Sequence, residues 1–384
     1  MKVGWRNVAL QEVADIERDI IDPSAITDGT TYIGLENIET GGLFVNVRSV
    51  TSGELASTKF TFTDKHILYG KLRPYLIKIA RPTFSGICST DILPILPRPE
   101  LDRDYLSYFL RQPSMVDLAT SRSTGANLPR LSPKILAEFS ISLPPIAQQK
   151  RIAAILDKAE ELRSLRRQAL GALDAIAQSI FLEMFGDPAT NPKKLPLIKL
   201  GDLTKISSGS TPSRAVIDNF GGTIPWVKTT EVCGTTILKT EEQITENALR
   251  NSSCRIYPAG SILVALYGQG KTRGRCAILG IDASTNQACG VLLPQPSYDT
   301  RFLFSQLTLA YERLRALGRG GNQENLNLGL LSDFVVLLPP ISLQQEFARR
   351  VEAIEQLKTT HRQSLAQLNA LFASLQHRAF RGDL

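Results

Sequence analysis

The sequence predicts an α+β protein made of two similar halves, each a globular domain followed by one long helix. The phrase LPPIAQQK at residues 143–150 returns as LPPISLQQ at residues 338–345, in both places after a short β-rich run. Each copy then opens a long stretch in which apolar residues recur at helical spacing. With 384 residues, the chain is long enough for each half to bury its own core.

The repeat extends well beyond this phrase at a constant offset of 195 residues. Asn127 aligns with Asn322 upstream of the phrase, and Phe185 aligns with Phe380 downstream of it. A period of this length is far too long for a solenoid and indicates a duplicated unit. We therefore predict four segments, namely a first domain at residues 1–145, a central helix at 146–190, a second domain at 191–340 and a C-terminal helix at 341–384.

The globular parts read as mixed α and β structure. Short β-rich runs such as YLIKIA, DILPILP, SILVALYG and CAILGI are separated by Gly, Pro, Asp and Ser, which predicts short strands joined by turns. One helical stretch follows in each half, DYLSYFLRQ in the first and RFLFSQLTLAYERLRAL in the second. We expect each domain to contain a twisted, partly barrelled sheet.

Along both long helices, apolar residues step by three or four over about five heptads, which is typical of helices packed as a coiled coil. The alternative is that each helix lies on its own domain as an amphipathic helix. Some 38 residues make a rod of about 55 Å, longer than such a domain needs, so we expect the two helices to pair. The expected helix-contact positions include Ile152, Leu162, Leu173, Ile176, Val351, Leu365, Leu368 and Phe372.

Basic residues concentrate in two segments that occupy matching places of the repeat. The formal net charge is +7, which favours a polyanionic partner. Residues 59–81 contain six Lys or Arg and one acid, and residues 250–275 contain five Lys or Arg and no acid. Because phosphate contacts dominate nucleic-acid affinity, these two segments are the predicted DNA-facing segments.

The predicted DNA-binding residues combine cations for phosphates with amides for base edges, since Arg, Asn and Gln make paired hydrogen bonds to bases. In the first segment the cations alternate with apolar residues, so we expect a strand that presents them on one face. In the second, three glycines allow the backbone to approach a surface closely. The predicted set is Lys71, Arg73, Lys78, Arg81, Arg214, Gln269, Lys271, Arg273, Arg275, Asn286, Gln287, Asn322 and Gln323.

The sequence predicts a binding protein and not a catalyst. The phosphate-loop lookalike ALYGQGKT has Ala265 where the nucleotide-binding motif requires glycine, and its three histidines form no recognisable catalytic or metal-binding set. Its five cysteines stand singly, without a CxxC pair, as expected for reduced structural thiols of a cytoplasmic protein. We expect neither a secretory signal nor a membrane span, because no apolar run of suitable length occurs.

Several longer phrases carry a family resemblance. They are YIGLENIETGGL, ILYGKLRPYLIKI and GICSTDILPILP in the first half, and GGTIPWVKTTEV, ALYGQGKTRG and STNQACGVLLP in the second. Together with the two LPPI helices, they show that the sequence resembles the specificity (S) subunit of type I restriction-modification enzymes over essentially its whole length. The resemblance implies two target-recognition domains separated by two long antiparallel coiled-coil helices, with a pseudo-two-fold internal repeat.

The resemblance also implies a function. Each recognition domain of such a subunit reads one half of a bipartite, asymmetric site in double-stranded DNA, and the helices dock two methyltransferase (modification) subunits. S-adenosylmethionine belongs to those subunits, ATP and Mg belong to restriction subunits, and no cofactor is expected in this chain. Two alternatives stay open: a specificity-like DNA-binding subunit of another phage-defence system, and a stand-alone DNA-modifying enzyme.

Overall fold

The computed structural model describes residues 4–268, 270–319 and 325–384, so the predictions for Gln269, Asn322 and Gln323 lie outside the described residues. The chain separates into two compact units. Unit 1 comprises Met1–Arg167 and Gln363–Leu384, and unit 2 comprises Gln168–Arg362. Each unit therefore contains one globular part together with a section of both long helices.

Unit 1 contains short strands, which form three sheets in its described part. The sheets have the strand orders β1-β11, β2-β10-β7-β8 and β3-β6-β9-β4-β5, and only the β4–β9 pairing is parallel. In chain order, strands β1 to β11 are Arg6–Ala9, Ala14–Ile16, Ile20–Ile21, Thr30–Ile33, Arg48–Val50, Lys59–Phe62, Ile67–Gly70, Ile79–Ala80, Gly86–Cys88, Ile92–Pro97 and Ser140–Leu143.

The helices of unit 1 cover one side of its core. The second of them begins after Asp102, whose carboxylate accepts hydrogen bonds from the N–H groups of Asp104 (3.0 Å) and Tyr105 (2.9 Å), a standard N-cap. Its Tyr105 and Tyr108 are fully buried in the core. Helices α1 to α5 are Leu10–Val13, Arg103–Leu110, Pro113–Ser121, Pro133–Ala137 and Ile146–Phe185, of which α5 continues into unit 2.

Unit 2 likewise contains three sheets in its described part. Their strand orders are β12-β21, β13-β20-β17-β18-β15 and β16-β14-β19. In chain order, strands β12 to β21 are Leu197–Lys199, Ile206–Ser208, Phe220–Val227, Thr236–Ile237, Glu242–Ile244, Ile262–Ala265, Cys276–Leu279, Ser284–Thr285, Cys289–Leu292 and Val335–Leu337.

The helices of unit 2 include one difference from the sequence prediction. The stretch RFLFSQLTLAYERLRAL, predicted as one helix, is interrupted at Ala310, where the backbone leaves helical geometry (φ −84°, ψ 9°). The first of the two resulting helices is capped by Asp299 as its counterpart is by Asp102. Helices α6 to α11 are Leu200–Leu203, Glu246–Arg250, Thr300–Leu309, Tyr311–Ala316, Leu328–Ser332 and Ile341–Arg381, of which α11 continues into unit 1.

The internal topologies of the two units are alike, which confirms the duplication read from the sequence. The order β2-β10-β7-β8 in unit 1 corresponds to β13-β20-β17-β18 in unit 2. The parallel β4–β9 pair corresponds to the parallel β14–β19 pair, and the pairs β1-β11 and β12-β21 close each repeat. A single sheet was predicted in each domain, and the structure instead divides each into three.

The prediction that YLIKIA is a strand with cations on one face is wrong. Pro74–Leu76 is a short 3-10 helix, and the residues on either side of it, Arg73 (φ 52°) and Ile77 (φ 50°), adopt the left-handed conformation. Proline fixes its own φ and cannot donate to a strand ladder, so the chain turns at this point. The four cations of this segment consequently point in different directions.

The repeated LPPI phrase joins each long helix to the helix that precedes it in space. Gln149 is fully buried, accepts a hydrogen bond from the Asp102 N–H (2.8 Å) and donates one to the Pro144 carbonyl (2.8 Å). Gln344 is buried in the same way. It accepts from the Asp299 N–H at 2.9 Å and donates to the carbonyl of Pro339 at 2.7 Å. This shared joint explains why the chain contains the phrase twice.

Within each unit, α5 and α11 contact each other through polar groups at equivalent positions of the repeat. In unit 1, Arg163 Nε donates to Asn369 Oδ1 at 2.7 Å. In unit 2, Lys358 Nζ lies 2.7 Å from Asp174 Oδ1. The repeat offset of 195 relates Arg163 to Lys358 and Asp174 to Asn369. We call these two contacts the seam pairs.

Candidate nucleic-acid interface

Residues 71–78 connect β7 to β8 in unit 1 and are called loop A. Its base is fixed by backbone hydrogen bonds, because the Lys71 N–H donates to the Asp91 carbonyl (2.9 Å) and the Lys71 carbonyl accepts from the Leu131 N–H (2.9 Å). The Arg73 N–H then donates to the Pro129 carbonyl at 2.7 Å. Loop A is therefore held against the segment that precedes α4.

Residues 266–275 connect β17 to β18 in unit 2 and are called loop B. Its first residue, Leu266, makes the bonds that Lys71 makes in loop A: its N–H donates to Ala288 and its carbonyl accepts from Leu326. At the other end of loop B, the Tyr311 hydroxyl donates to the Lys271 carbonyl at 2.8 Å. Loop B thus packs on α9, and both loops leave equivalent strands.

Glycines shape loop B where loop A uses strained residues with side chains. Gly268, Gly270 and Gly274 all have positive φ. At Gly274, an added Cβ would lie 3.3 Å from the Arg315 nitrogen, so a side chain there would press against α9. Of the glycines predicted to permit close approach, this one faces the protein's own helix, whereas nothing lies within 4 Å of a Cβ placed at Gly270.

Arginines without a partner for their Nε atom gather in and beside the two loops. The Nε atoms of Arg73 in loop A, Arg273 in loop B and Arg315 on α9 are buried and make no hydrogen bond among the described residues. Half-buried arginines elsewhere, such as Arg81 and Arg301, form ion pairs with carboxylates. A guanidinium that is partly removed from water without an acidic partner is well suited to bind an external anion.

The exposed aromatic side chains also lie in these loops. Tyr75 of loop A is 48% exposed and Tyr267 of loop B is 39% exposed. Every other Tyr, Phe and Trp within residues 4–268, 270–319 and 325–384 is buried or half-buried. Each loop therefore presents one aromatic ring close in sequence to an arginine whose Nε has no partner.

A cavity of about 290 Å³ lies beside loop B. Its lining includes Lys271 and Arg275 of the loop, Tyr311 of α9 and the thiol-bearing Cys233 and Cys276. No carboxylate is among the residues that line it, so its charge is positive. Burial raises the pKa of the Cys276 thiol to about 12, whereas Cys233 is exposed.

The other two predicted cations of the first basic segment make internal contacts. Lys78 Nζ donates to the carbonyls of Leu35 (2.5 Å) and Ile38 (2.8 Å). Arg81 forms ion pairs with Asp157 (2.6 Å) and Asp104 (3.1 Å). Burial opposes the charge of Arg81, but its hydrogen bond to Asp157 and the nearby acids raise its pKa above the usual value. DNA contact by these two residues stays a prediction.

Three predicted residues of unit 2 lie outside loop B. Arg214 is exposed, is paired with Glu242 at 3.0 Å, and lies over the Phe220 ring at 4.7 Å. Asn286 accepts a hydrogen bond from the Thr229 hydroxyl at 2.9 Å, which commits its amide oxygen to the fold. Gln287 is exposed and accepts a hydrogen bond from a threonine hydroxyl. Their role in DNA binding stays a prediction.

The predicted helix-contact residues differ in exposure. Ile152 and Val351 are buried in the cores of units 1 and 2. Leu162 is 41% exposed and Ile176 is 48% exposed. Leu173, Leu365, Leu368 and Phe372 are half-buried. Partner docking by these residues stays a prediction.

Sequence reasoning did not identify Tyr311 and Arg315 as members of the candidate interface. They lie some 40 residues after loop B, in a stretch whose only local signal is helical spacing. Tyr75 and Tyr267 lie inside the predicted segments, but their exposure depends on the turns that the loops make. Patterns within one segment carry no information on either feature.

Metal and membrane sites were also considered for the part of the chain that the structure describes. Within it, no three His, Cys, Asp or Glu side chains are grouped so as to hold a metal ion. No helix of that part is both long and apolar enough to span a bilayer.

Comparison with known proteins assigns the chain to a family. The family described as type I restriction modification DNA specificity domain matches twice, at residues 2–172 and 192–370. The chain belongs to this family. The resemblance inferred from the sequence motifs is confirmed, and the two matches fall on the two halves of the repeat.

Curated members of the specificity family share moderate identity with the chain. The EcoDI specificity subunit of Escherichia coli is 26% identical over 187 residues, which cover 47% of this chain and 41% of that protein. The MjaIX specificity subunit of Methanocaldococcus jannaschii is 21% identical over 309 residues, covering 76% of this chain and 71% of that protein. The chain thus spans less than half of the EcoDI subunit and about 70% of the MjaIX subunit.

Solved structures of the specificity family share the fold. The type I S subunit from M. genitalium aligns with a TM-score of 0.61 at 14% identity, covering 99% of this chain and 96% of that one. A chain from a study of complex assembly and conformational transition in a type I restriction-modification system aligns with a TM-score of 0.56. It is 20% identical, and the alignment covers 100% of this chain and 99% of that one. The predicted two-domain, mixed α and β fold is confirmed at this level.

Proposed function

We propose that this chain is the DNA sequence-specificity subunit of a type I restriction-modification system. The observation that carries the proposal is the pair of equivalent loops, A and B, on a duplicated specificity domain. Each loop combines an arginine without an Nε partner with an exposed tyrosine, and unit 2 adds a cationic cavity. Cations bind phosphates and place the protein on the duplex, while nearby polar and aromatic side chains reach the bases.

The target site in this proposal is bipartite and asymmetric. The two loops leave equivalent strands, but their sequences, KLRPYLIK in loop A and LYGQGKTRGR in loop B, have little in common. A shared scaffold that carries different contact residues is expected to read two different half-sites. The two long helices, paired as an antiparallel coiled coil, set the distance between the readers in this proposal.

The long helices also provide the surface for partner subunits in this proposal. Exposed apolar residues occur at equivalent positions of the two helices, which is expected if the same partner docks twice. The equivalent pairs are Ile146 with Ile341, Leu162 with Leu357, and Ile176 with Leu371, each between 39% and 53% exposed. The partners are two methyltransferase subunits, and restriction subunits join the same assembly.

The chemistry belongs to those partners. The methyltransferase subunits bind S-adenosylmethionine, and the restriction subunits use ATP and Mg, so the chain itself is non-catalytic in this proposal. Its contribution is to select the DNA sequence at which the partners act. Methyl transfer to DNA by the isolated chain would contradict the proposal and favour a stand-alone modifying enzyme.

The docking proposal has a matched control on the same helix. Leu162→Lys or Leu357→Lys should each reduce the number of bound methyltransferase subunits from two to one, and the double substitution should leave none. Leu165 is 52% exposed but has Thr360 at the equivalent position, so Leu165→Lys should leave both partners bound. Native mass spectrometry of the co-expressed proteins measures the stoichiometry. Loss of partner on Leu165→Lys alone would contradict the assignment of the surface.

The DNA-binding proposal is tested by the salt dependence of binding. Replacing Lys271, Arg273 and Arg275 with Ala should weaken duplex binding by the assembled complex. The slope of log K against log salt concentration should fall by up to about 0.9 for each phosphate contact that is lost. Preference for the half-site read by unit 1 should persist. Simultaneous loss of preference for both half-sites would contradict independent reading.

A further inference from the structure

The placement of Tyr75 and Tyr267 is unlikely to follow from packing alone, because neither ring is covered by the protein. Burying an aromatic ring stabilises a fold substantially, and the remaining aromatic residues in the described part of the chain follow that rule. The two exceptions lie in loops that leave equivalent strands of the two units. This coincidence indicates a shared role at the surface.

We propose that Tyr75 and Tyr267 contact double-stranded DNA at equivalent points of the two half-sites, each ring packing on a sugar or base edge beside a phosphate held by Arg73 or Arg273. This inference rests on the proposed function and adds to it the residues that make the uncharged contacts. A tyrosine provides a large apolar face and a hydroxyl donor, and it loses little conformational freedom when it is immobilised.

Loop A holds its tyrosine in a fixed position. The carbonyl of Leu76, next to Tyr75, accepts a hydrogen bond from the Thr40 hydroxyl at 3.0 Å. The carbonyl of Ile77 accepts one from the Gly41 N–H at 3.3 Å. Together with the bonds at the base of the loop, these contacts fix the backbone on both sides of the ring. A pre-organised loop pays little ordering entropy when it binds, which favours a contact role.

Loop B presents its tyrosine directly beside an anchored residue. Leu266, which precedes Tyr267, is 2% exposed and is held by backbone hydrogen bonds through both its N–H and its carbonyl. Gly268 follows with a φ of 139°, a conformation that directs the chain away from β17. Tyr267 therefore lies at the point where loop B leaves the sheet, as a residue that meets a ligand at the sheet edge should.

The tyrosine contacts can be separated experimentally from the cation contacts. Removing an uncharged ring lowers affinity but releases no counterion, so the salt dependence of binding should not change. Removing an arginine that contacts a phosphate changes both quantities. Tyr75→Ser and Tyr267→Ser should therefore weaken binding in parallel at all salt concentrations, whereas Arg273→Gln should also flatten the slope.

The experiment uses the full chain assembled with the methyltransferase subunits of its own locus, and a duplex that carries the sequence these methylate. Each Tyr→Ser variant should weaken binding roughly 10-fold, in line with the loss of one aromatic contact to a nucleotide. The double variant should approach the product of the two factors, because the units bind independently. Tyr75→Phe and Tyr267→Phe keep the ring and should bind within about 3-fold of wild type on the same scale.

The control is Ile256→Ser, which changes an exposed apolar residue outside both loops and should not alter binding. Melting temperatures equal to wild type establish that the variants are folded. Selective binding by the wild-type complex with unchanged affinity of both Tyr→Ser variants would overturn this inference and leave the proposed function intact. A wild-type complex that does not prefer its own methylated sequence over a scrambled duplex would overturn both.

Discussion

Lys358 Nζ of α11 lies 2.7 Å from Asp174 Oδ1 of α5, in a position where its own side chain is only 10% exposed. Glu355, one turn earlier, contacts the same ammonium at 2.5 Å. At the equivalent place in unit 1, Arg163 meets neutral Asn369 and pairs with Glu160. The duplication has therefore kept the polar seam pair while changing both of its members.

This relationship predicts a rescue. Asp174→Asn should destabilise the protein by about 1 kcal/mol, because Lys358 then keeps only Glu355 and the lost partner was largely exposed to solvent. The double variant Lys358→Arg with Asp174→Asn reproduces the Arg163–Asn369 pair and should recover most of the loss. Thermal unfolding of the full chain measures both, with about 2–4 °C expected per kcal/mol.

Two further variants control this comparison. Glu161→Gln breaks the exposed Lys158–Glu161 pair, which lies on the same helix, and should leave the melting temperature unchanged. Lys358→Arg alone should be close to wild type, since Arg retains the charge. If the double variant melted no higher than Asp174→Asn, the two seam pairs would not be interchangeable.

A second prediction concerns the buried glutamines. Gln344→Ala should cost about 1–3 kcal/mol, because it leaves the Asp299 N–H and the Pro339 carbonyl without partners in a buried place. The neighbouring Gln345 is exposed, so Gln345→Ala should change stability by no more than about 0.5 kcal/mol. Urea unfolding followed by tryptophan fluorescence compares the two. Equal effects of the two substitutions would contradict the role of Gln344 as a joint.

A third prediction concerns a cavity of about 320 Å³ in unit 2, lined by Ala177, Ser305 and Thr308 among others. In unit 1 the position of Ala177 is taken by Phe372, whose ring lies 6.1 Å from that of Tyr108. Ala177→Leu should therefore fill space and stabilise the protein by about 0.5–2 kcal/mol. Ala175→Leu, at an exposed position of the same helix, should give no such gain in melting temperature.

A fourth prediction concerns thiol reactivity. Burial raises the pKa of Cys88 and Cys276 to about 12 and also raises that of Cys289, so these thiols stay protonated at pH 8 and react slowly. Cys233 is exposed, and an Ellman-type assay should show one fast equivalent that Cys233→Ser removes. Because Cys233 lines the cavity beside loop B, bound duplex should slow its labelling. Two or more fast thiols in the folded protein would contradict the burial of the others.

The long helices could be predicted almost to their ends because their signals are local. The apolar spacing fixes the helical period, and Gly186 and Gly382, with φ of 77° and 75°, end the two helices immediately after or within one residue of their last turn. The duplication was equally accessible, since aligned positions such as Asn127 and Asn322 need no structure to be recognised.

The details of the interface were less accessible, because they depend on contacts between distant segments. Lys78 was grouped with Lys71 by spacing, yet a turn at Pro74 directs its ammonium toward the carbonyls of Leu35 and Ile38. Arg315 joins loop B only because Tyr311 on the same helix bonds to Lys271. Charge and composition located the two loops, but not which side chains in them are left without partners.

The unlike seam pairs also govern what happens when two copies of the chain meet and exchange helices. If α5 paired with α5 of a second copy in the same register, Arg163 would face Asp174 of that copy, a favourable match of opposite charges. If α11 paired with α11, Lys358 would face Asn369 and keep only the carboxylate of its own helix. Every exchange that frees an α5 also frees an α11, so the poor match of the second combination disfavours both. A single carboxylate on α5 thereby favours the pairing of unlike helices within one chain.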